Sequence, residues 1–580
     1  MPVLSSQETK WKLIANPDLE TAKKLSNDLN VDMRIATMLV QRGVNTFDEA
    51  RHFFRPDLND LHDPFLMKDM DLAVDRILQA LETKENIMIY GDYDVDGTTA
   101  VTMVYSFLES IGVGCDYYIP DRYAEGYGFS MKGVDYAKEN GCSLIITLDC
   151  GVRDSQKIEY ARSLGIDVIV CDHHMPAEIP DAAAVLDPKR PDCNYPYKGL
   201  SGAGVGFKML QALCIQQSIE LELLFNYLDL VTISIGADIV PITGENRILA
   251  HFGLKQLQAS QRPGIASMLD KAGFKKSEIN ITDVVFILAP RINAAGRIFS
   301  GKAAVDLLLS NEDEASTLSS AIEEYNATRK GLDKEITLHA TQIVDDDLFH
   351  KESFVTVVCN EKWHKGVVGI VASRLVETYY KPTIVLVSDG EKMAGSARSI
   401  DGIDLFECLN ECEEHLIQFG GHAMAAGLSL KAENFEAFRA QFDRVVRSKL
   451  NNLRPAPFIC YDTELDFASI TPRFYRLLKQ FEPFGPENLS PVFLARNVKN
   501  AVFTRTVGEN NNHLKLHVSQ AENPTLSMEG IGFDLGHWLP NLKEGALVDL
   551  LFTINENNWN NKTTLQLVVK DIRESAANVS

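Results

Sequence analysis

The stretch Asn86 to Ala100, NIMIYGDYDVDGTTA, constrains this chain more than any other. Its apolar run, Ile87 to Tyr90, reads as a buried strand that delivers Asp92, Asp94 and Asp96 at alternate positions into a turn closed by Gly97. Three acids within five residues repel one another, so a fold that gathers them at the end of a buried strand has use for a cation. Alone, such a triplet is more often a solvated turn that caps the next helix. The residues beyond Ala100 decide between the two.

From Asn86 onward, short apolar runs alternate with amphipathic segments. Strands are expected at Ile87–Tyr90, Cys115–Ile119, Leu144–Leu148 and Val168–Val170, with helices starting near Thr98, Ser130 and Ser155. That alternation predicts an α/β fold whose mostly parallel sheet is covered by helices on both faces, with ligands at the carboxyl ends of the strands. The polar residues follow the same rule. Leu144–Leu148 runs into Asp149-Cys150-Gly151, and Val168–Val170 runs through Cys171 into Asp172-His173-His174. A fourth apolar run, Leu230–Ile235, also read as a strand, precedes Gly236-Ala237-Asp238. An Asp after a strand is usually a helix cap, and a His-His pair is usually surface or satisfied core. Repeated at four successive strand ends, they make one constellation. Carboxylate oxygen with some imidazole nitrogen suits Mn2+ or Mg2+ better than a cysteine-rich zinc site.

The rest of the chain supplies several further units, since 580 residues exceed one core. The first 80 residues carry helical periodicity and a proline-broken connector from His52, without evident chemistry. Gly202 to Lys208, GAGVGFK, mimics a phosphate loop, but it comes after the loop PYKGLS and is read as a helix start packed closely on the sheet, with no cofactor. The charged segment Glu312 to Asp345, with apolar residues near heptad spacing, predicts one long helix bridging two lobes. A second α/β unit comes next: strands at Phe354–Cys359 and Thr383–Val387, a helix after Gly366, then MAGSARS from Met393 and a glycine-rich stretch. Ser396, Arg398 and His422 in that unit offer the donors that phosphate oxygens need. After Pro455-Ala456-Pro457 come six short β runs and one helical insert, Thr471–Phe481, which fit an oligonucleotide-binding (OB) barrel. From Pro457 to Ser580 there are 11 Lys and Arg against 14 Asp and Glu, so a strand-binding face must concentrate its cations beside aromatic rings.

The net charge of −23 argues against a protein that wraps duplex DNA nonspecifically, and leaves room for a nucleic-acid enzyme with one basic groove. Ten scattered cysteines read as reduced thiols. No apolar run is long enough for a bilayer, and the N-terminus lacks the order of a signal peptide, so a cytoplasmic protein without a membrane partner is expected.

In order, GDYDVDG, LDCGV, CDHH and SIGADIVP resemble the four motifs of the DHH phosphoesterase superfamily. PRINAAGR (Pro290 to Arg297), WHKGVVGI (Trp363 to Ile370) and GGHAMAAG (Gly420 to Gly427) resemble the RecJ family of bacterial single-strand exonucleases in particular. The resemblance implies an N-terminal helical region (1–80), a DHH catalytic domain (81–310), a connecting helix (311–345), a smaller α/β DHH-associated domain (346–454) and a C-terminal OB barrel (455–580). It implies two metal ions, Mn2+ or Mg2+, with Asp149 bridging them, Asp94 on the first, and Asp96, His173 and Asp238 on the second. Tyr90 stands where related pyrophosphatases carry a histidine ligand, so the first ion would be either weakly held or completed by Asp92 and water. Asp172 would orient an imidazole and His174 would face the scissile phosphate, with Arg122, Arg291, Asn293, Ser396, Arg398 and His422 as the substrate-binding set. The implied activity is 5′→3′ hydrolysis of single-stranded DNA to 5′-mononucleotides in repair and recombination. Its partners would be the strand itself, a single-strand-binding protein and a repair helicase. Two other readings remain: a phosphodiesterase for short oligoribonucleotides or cyclic dinucleotides, and a catalytically silent strand-binding scaffold.

Overall fold

The computed structural model describes residues 9–259, 262–501, 503–542, 546–559 and 562–575. A short strand, β1 (Lys10–Leu13), and three helices (Leu19–Leu29, Met33–Gln41, Phe47–Phe54) come first. Leu25, Ile35, Leu39 and Ala50 of these helices share a hydrophobic core with Phe474, Phe481, Phe493 and Phe552 of the C-terminal region. The helices match the periodicity. The strand was not foreseen, because KWKL alternates lysine with only two apolar residues.

The lobe that the resemblance marks as catalytic, called the catalytic lobe below, is built on five parallel strands in the order β3-β2-β4-β5-β6: β2 (Asn86–Gly91), β3 (Cys115–Tyr118), β4 (Cys142–Leu148), β5 (Asp167–Cys171) and β6 (Ala184–Leu186). Alternate residues of β2 and β4 enter two cores. Ile87, Ile89, Leu144 and Ile146 pack with Val101, Val104 and Phe107 on one face, while Met88, Tyr90 and Ile145 pack with Val134, Ala137 and Ile158 on the other. Helices therefore cover both faces, as the continuous apolar strands require. Helices start at Val95, Met131 and Ser155. Strand β6, three residues long, escaped the pattern.

One expectation is overturned. Leu230–Ile235 is no strand but part of a helix, Leu228–Ala237, in which every residue from Leu228 to Gly236 is buried. An apolar run enclosed on all sides has no polar face to betray its period. Asp238 therefore reaches the rim from a helix end, beside three strand ends.

The connecting helix spans Glu312–Asp346, and Asn311 caps it by accepting the N–H groups of Asp313 and Glu314. Its Ile322 lies in the catalytic-lobe core, whereas Ile336, Ala340 and Val344 pack with Trp363, Val368 and Leu375 of the next unit. That unit holds β7 (Thr356–Cys359), β8 (Thr383–Ser388), β9 (Lys392–Arg398), β10 (Leu416–Gly421) and β11 (Ala425–Lys431), in the order β10-β11-β9-β8-β7.

The C-terminal strands are β12 (Phe458–Tyr461), β13 (Thr463–Glu464), β14 (Phe493–Asn500), β15 (Arg505–Val507), β16 (His513–Gln520), β17 (Asn523–Gly532), β18 (Leu547–Trp559) and β19 (Lys562–Glu574). β14, β16, β17, β19 and β18 pair in that cycle and close on β14, with β17 and β19 parallel. This is the five-stranded OB topology. β1 pairs in parallel with β12, and Trp11 donates its indole N–H to Asp571 at 2.7 Å. A buried arginine ties the catalytic lobe to this region. Arg247 donates to the carbonyls of Phe53, Gln480, Phe481, Glu482 and Pro483, and its guanidinium lies 3.9 Å from the Phe53 ring.

All ten cysteines are free thiols. Among the described residues no helix is long and apolar enough to cross a membrane.

Candidate metal centre

Each acid of the GDYDVDG turn has its own task in the fold. Asp94 is the N-cap of the Val95–Ser110 helix, and its Oδ1 accepts the Gly97 N–H at 3.1 Å. Gly97 abuts the Asp92 backbone so closely that no side chain fits there. Asp96, buried in the first turn, accepts the N–H groups of Gly202 (2.7 Å) and Ala203 (2.8 Å) and the Ser234 hydroxyl (2.7 Å). The GAGVGFK stretch is thus a helix start on the sheet, as its context implied, and the partial positive charge of its N-terminus holds a carboxylate. A Cβ on Gly202 would lie 2.6 Å from the Asp149 Cβ, so the glycine also makes room for the next acid.

Asp149 and Asp238 are aimed by unusual backbone. Asp149 itself has φ +59°, and Ile239, just after Asp238, has φ +58°, a region that a β-branched residue enters only under constraint. The side chains converge on His173. Its Nε2 lies 3.2 Å from Asp149 Oδ1, 3.5 Å from Asp238 Oδ2 and 3.8 Å from Asp96 Oδ2. Two groups of atoms lie within 4.8 Å of one another, close enough to share an ion: Asp149, His173 and His174, and Asp96, His173 and Asp238. Asp92 and Asp94 stand outside both. Asp92 Oδ1 accepts the Gly128 N–H at 3.3 Å, and Tyr90 donates its hydroxyl to the Gly128 carbonyl at 3.0 Å.

The donor set fits a divalent cation. Asp149 Oδ1, Asp92 Oδ2 and both ring nitrogens of His173 are buried without a hydrogen-bond partner. Burial first, and then the neighbouring carboxylates, raise Asp149, Asp92, Asp94 and Asp238 above the ordinary carboxylate range. Burial lowers His173 to about 4, so its imidazole is a neutral donor. The four raised acids outnumber His173, whose lowered value acts in the opposite sense, and they set the sign for stability. In the unfolded chain these acids ionise near pH 4, while the folded chain keeps their protons to higher pH, so metal-free stability falls as pH rises through that window. The metal-free protein should therefore melt at a lower temperature at about pH 8 than at about pH 5. Mn2+ at about 100 times its Kd should restore about 2.7 kcal/mol at the higher pH. A melting midpoint indifferent to Mn2+ would remove the cation from this site.

His174 sits where the two lobes meet. Its Nδ1 lies 2.8 Å from Asp172 Oδ1, which also accepts the N–H groups of His173 and His174, while Asp172 Oδ2 accepts that of Val152. Burial alone would raise Asp172, but the His174 hydrogen bond and charge hold it at about 2. Burial would likewise lower His174, yet its bond to Asp172 leaves it raised. Asp172 thus orients an imidazole, and that imidazole is His174. The His422 ring of the second lobe stacks on it at 6.2 Å and 21°.

Beside this centre the lobes enclose a cationic pocket. Arg398 donates to the Ser396 hydroxyl (2.9 Å) and the Ala397 carbonyl (2.7 Å), and Arg122 lies 4.8 Å over the Tyr93 ring. Arg297 donates to the Gly366 carbonyl across the lobe boundary at 2.9 Å. Burial, then Arg122 and Arg398, push Arg297 down to about 10, and burial followed by Arg122 lowers Arg398. Arg122, Ser396 and Arg398 are therefore brought together as the sequence suggested, with Arg297 among them. Arg291 of the same PRINAAGR motif is placed elsewhere: it donates to Glu323 of the connecting helix and to the Ile287 carbonyl. Asn293 is half-buried one turn before Arg297 on the same helix face. Ser234 and Tyr127 join the site without having been expected there. Only the Gly126-Tyr127-Gly128 spacing could have marked the second.

Comparison with known proteins agrees with this architecture. The chain matches the DHH family, N-terminal domain, over residues 86–235, the DHHA1 domain over 351–448 and the RecJ OB domain over 461–571. The single-stranded-DNA-specific exonuclease RecJ of Bacillus subtilis (strain 168) is 38% identical over 572 residues, covering 98% of this chain and 71% of that protein. Its namesake from Escherichia coli (strain K12) is 33% identical over 529 residues, covering 87% of this chain and 90% of that one. The crystal structure of RecJ in complex with Mn2+ from Thermus thermophilus superposes with a TM-score of 0.83 at 27% identity, covering 97% of this chain and 79% of that one.

Proposed function

Because the chain belongs to the RecJ family of single-stranded-DNA-specific exonucleases, we propose that it hydrolyses single-stranded DNA from the 5′ end and releases 5′-mononucleotides, in DNA repair and recombination. The observation that carries this reading is the convergence of Asp96, Asp149 and Asp238 on the unpartnered imidazole of His173, beside an arginine pocket closed by the second lobe. Asp149 would bridge two ions, with Asp94 on one and Asp96, His173 and Asp238 on the other. Bound there, Mn2+ or Mg2+ supplies an activated water and neutralises charge on the phosphoryl oxygens.

The chain's own residues do the rest. Ser234 and the Gly202 helix start fix Asp96, and Asp172 fixes His174 toward the cleft. Arg122, Arg297, Ser396 and Arg398 present guanidinium and hydroxyl donors to a terminal phosphate, which selects the 5′ end. The OB barrel offers a face for the remaining strand. On β16, His513, Lys515 and His517 point outward, Arg505 pairs opposite Lys515, and the exposed Phe533 and Phe503 pack edge-on against His513 and His517. Cations interleaved with rings suit stacked bases. A cytoplasmic location, with a single-strand-binding protein and a repair helicase as partners, completes the reading.

The test uses strands labelled at each end, with a 5′-phosphate or a 5′-hydroxyl, in Mn2+. Early release of the 5′-terminal mononucleotide is expected. Arg398→Ala should lower cleavage of the 5′-phosphorylated strand by roughly ten- to hundredfold, the value of one charge-assisted hydrogen bond, and leave the 5′-hydroxyl strand nearly unaffected. Release from the 3′ end would sink the polarity, and an equal loss on both strands would move the phosphate pocket elsewhere.

A further inference from the structure

Tyr127 lies between Gly126 (φ +87°) and Gly128 (φ +86°), and this paired left-handed turn swings its ring away from the chain path. The ring meets Tyr93 edge-on at 6.1 Å and His174 edge-on at 6.0 Å, yet it is 52% exposed, so it is no core filler. Its hydroxyl lies 3.2 Å from His174 Nε2. The loop is anchored from below: the Gly128 N–H donates to Asp92 Oδ1, and the Gly128 carbonyl accepts the buried Tyr90 hydroxyl.

The imidazole of His174 is therefore held at both nitrogens. Asp172 Oδ1 accepts the Nδ1 proton at 2.8 Å, and the Tyr127 hydroxyl meets Nε2 at 3.2 Å, as acceptor when that nitrogen carries a proton and as donor when it does not. His422 covers one ring face from the other lobe. An imidazole tied at Nδ1 alone would keep freedom to tilt about that bond, and small misplacements of a group that meets the reacting phosphate are costly.

We propose that Tyr127 is a positioning residue for His174: its hydroxyl, delivered by the Asp92-anchored loop, fixes the ring from the side opposite Asp172. The inference rests on the nuclease reading, in which His174 faces the scissile phosphate. It also gives Asp92 a task within the acidic turn, that of setting the loop which carries Tyr127.

Tyr127→Phe removes only the hydroxyl and keeps both ring contacts. On 5′-phosphorylated single-stranded DNA in Mn2+, kcat should fall about ten- to hundredfold with KM and the melting midpoint nearly unchanged. In the metal-free protein with 15N-labelled histidine, the His174 Nε2 resonance should shift. Tyr127→Phe combined with His174→Ala should be no slower than His174→Ala alone, because the hydroxyl acts through that ring. A Tyr127→Phe enzyme within about twofold of the parent in kcat, or a double variant showing the full product of both losses, overturns the inference while the nuclease reading stands. A parent protein inert on single strands overturns both.

Discussion

Asp149→Ala is expected to reduce strand cleavage on the order of a thousandfold or more while the strand still binds. Asp149 reaches both imidazoles of the centre: its Oδ1 lies 3.2 Å from His173 Nε2 and 3.9 Å from His174 Nδ1, and that oxygen has no hydrogen-bond partner of its own. In the proposed bridging role it would have no substitute, since Asp96 and Asp238 would each be engaged on one ion and Asp96 is further held by Gly202, Ala203 and Ser234. The loss should fall on turnover, because the arginine pocket and the barrel face lie on other elements. Stability supplies an internal control. Burial and neighbouring acids make the ionised Asp149 unfavourable in the metal-free fold, so the metal-free variant should be at least as stable as the parent at neutral pH. Turnover by single-turnover kinetics, strand binding by fluorescence anisotropy and melting by calorimetry together check this. Near-normal turnover in the variant would refute the bridging assignment.

Arg247→Met should destabilise the junction between catalytic lobe and barrel by about 3–5 kcal/mol, the cost typical of breaking a buried charged network. The guanidinium serves five carbonyls, four of them from the consecutive residues Gln480 to Pro483, and methionine would take this donor from those of Phe53, Gln480 and Glu482, while the Asn488 amide still serves Phe481 and Pro483. The chain has several cores, so the effect should appear as an early, separate transition. Limited proteolysis should find new cleavage near Glu482 well below the main melting temperature. A single unchanged transition and an unchanged cleavage pattern would show that the junction is held by apolar contact alone.

The catalytic sheet was legible in the sequence because parallel strands buried on both faces read as uninterrupted apolar runs with polar residues at their ends. The same rule misled at Leu230–Ile235, where burial on all sides gave a helix the appearance of a strand. Convergence of Asp96, Asp149 and His173 came from strand order, which local pattern suggests, whereas Asp238 joined them from a helix end. The partners that fix the site's side chains were not legible in this way, since Tyr127 lies 47 residues from His174 along the chain, and Gly202 and Ser234 lie 106 and 138 residues from Asp96. The arginine pocket was half legible. PRINAAGR offers two arginines, and helix phase alone sends Arg291 to Glu323 and Arg297 to the lobe boundary. β1 was invisible because its partner lies on the far side of the sequence.

The connecting helix acts as a phase-keeper as well as a span. Its 35 residues extend about 52 Å, and each residue turns the chain by about 100°. His422 meets His174, and Arg398 meets Arg297, at one angular setting only. A single inserted or deleted residue in mid-helix would swing the second lobe through more than a quarter turn and leave every acid in place but the substrate half of the site facing elsewhere. The length of this helix, counted in whole residues, is thus as much a part of the active site as any side chain in it.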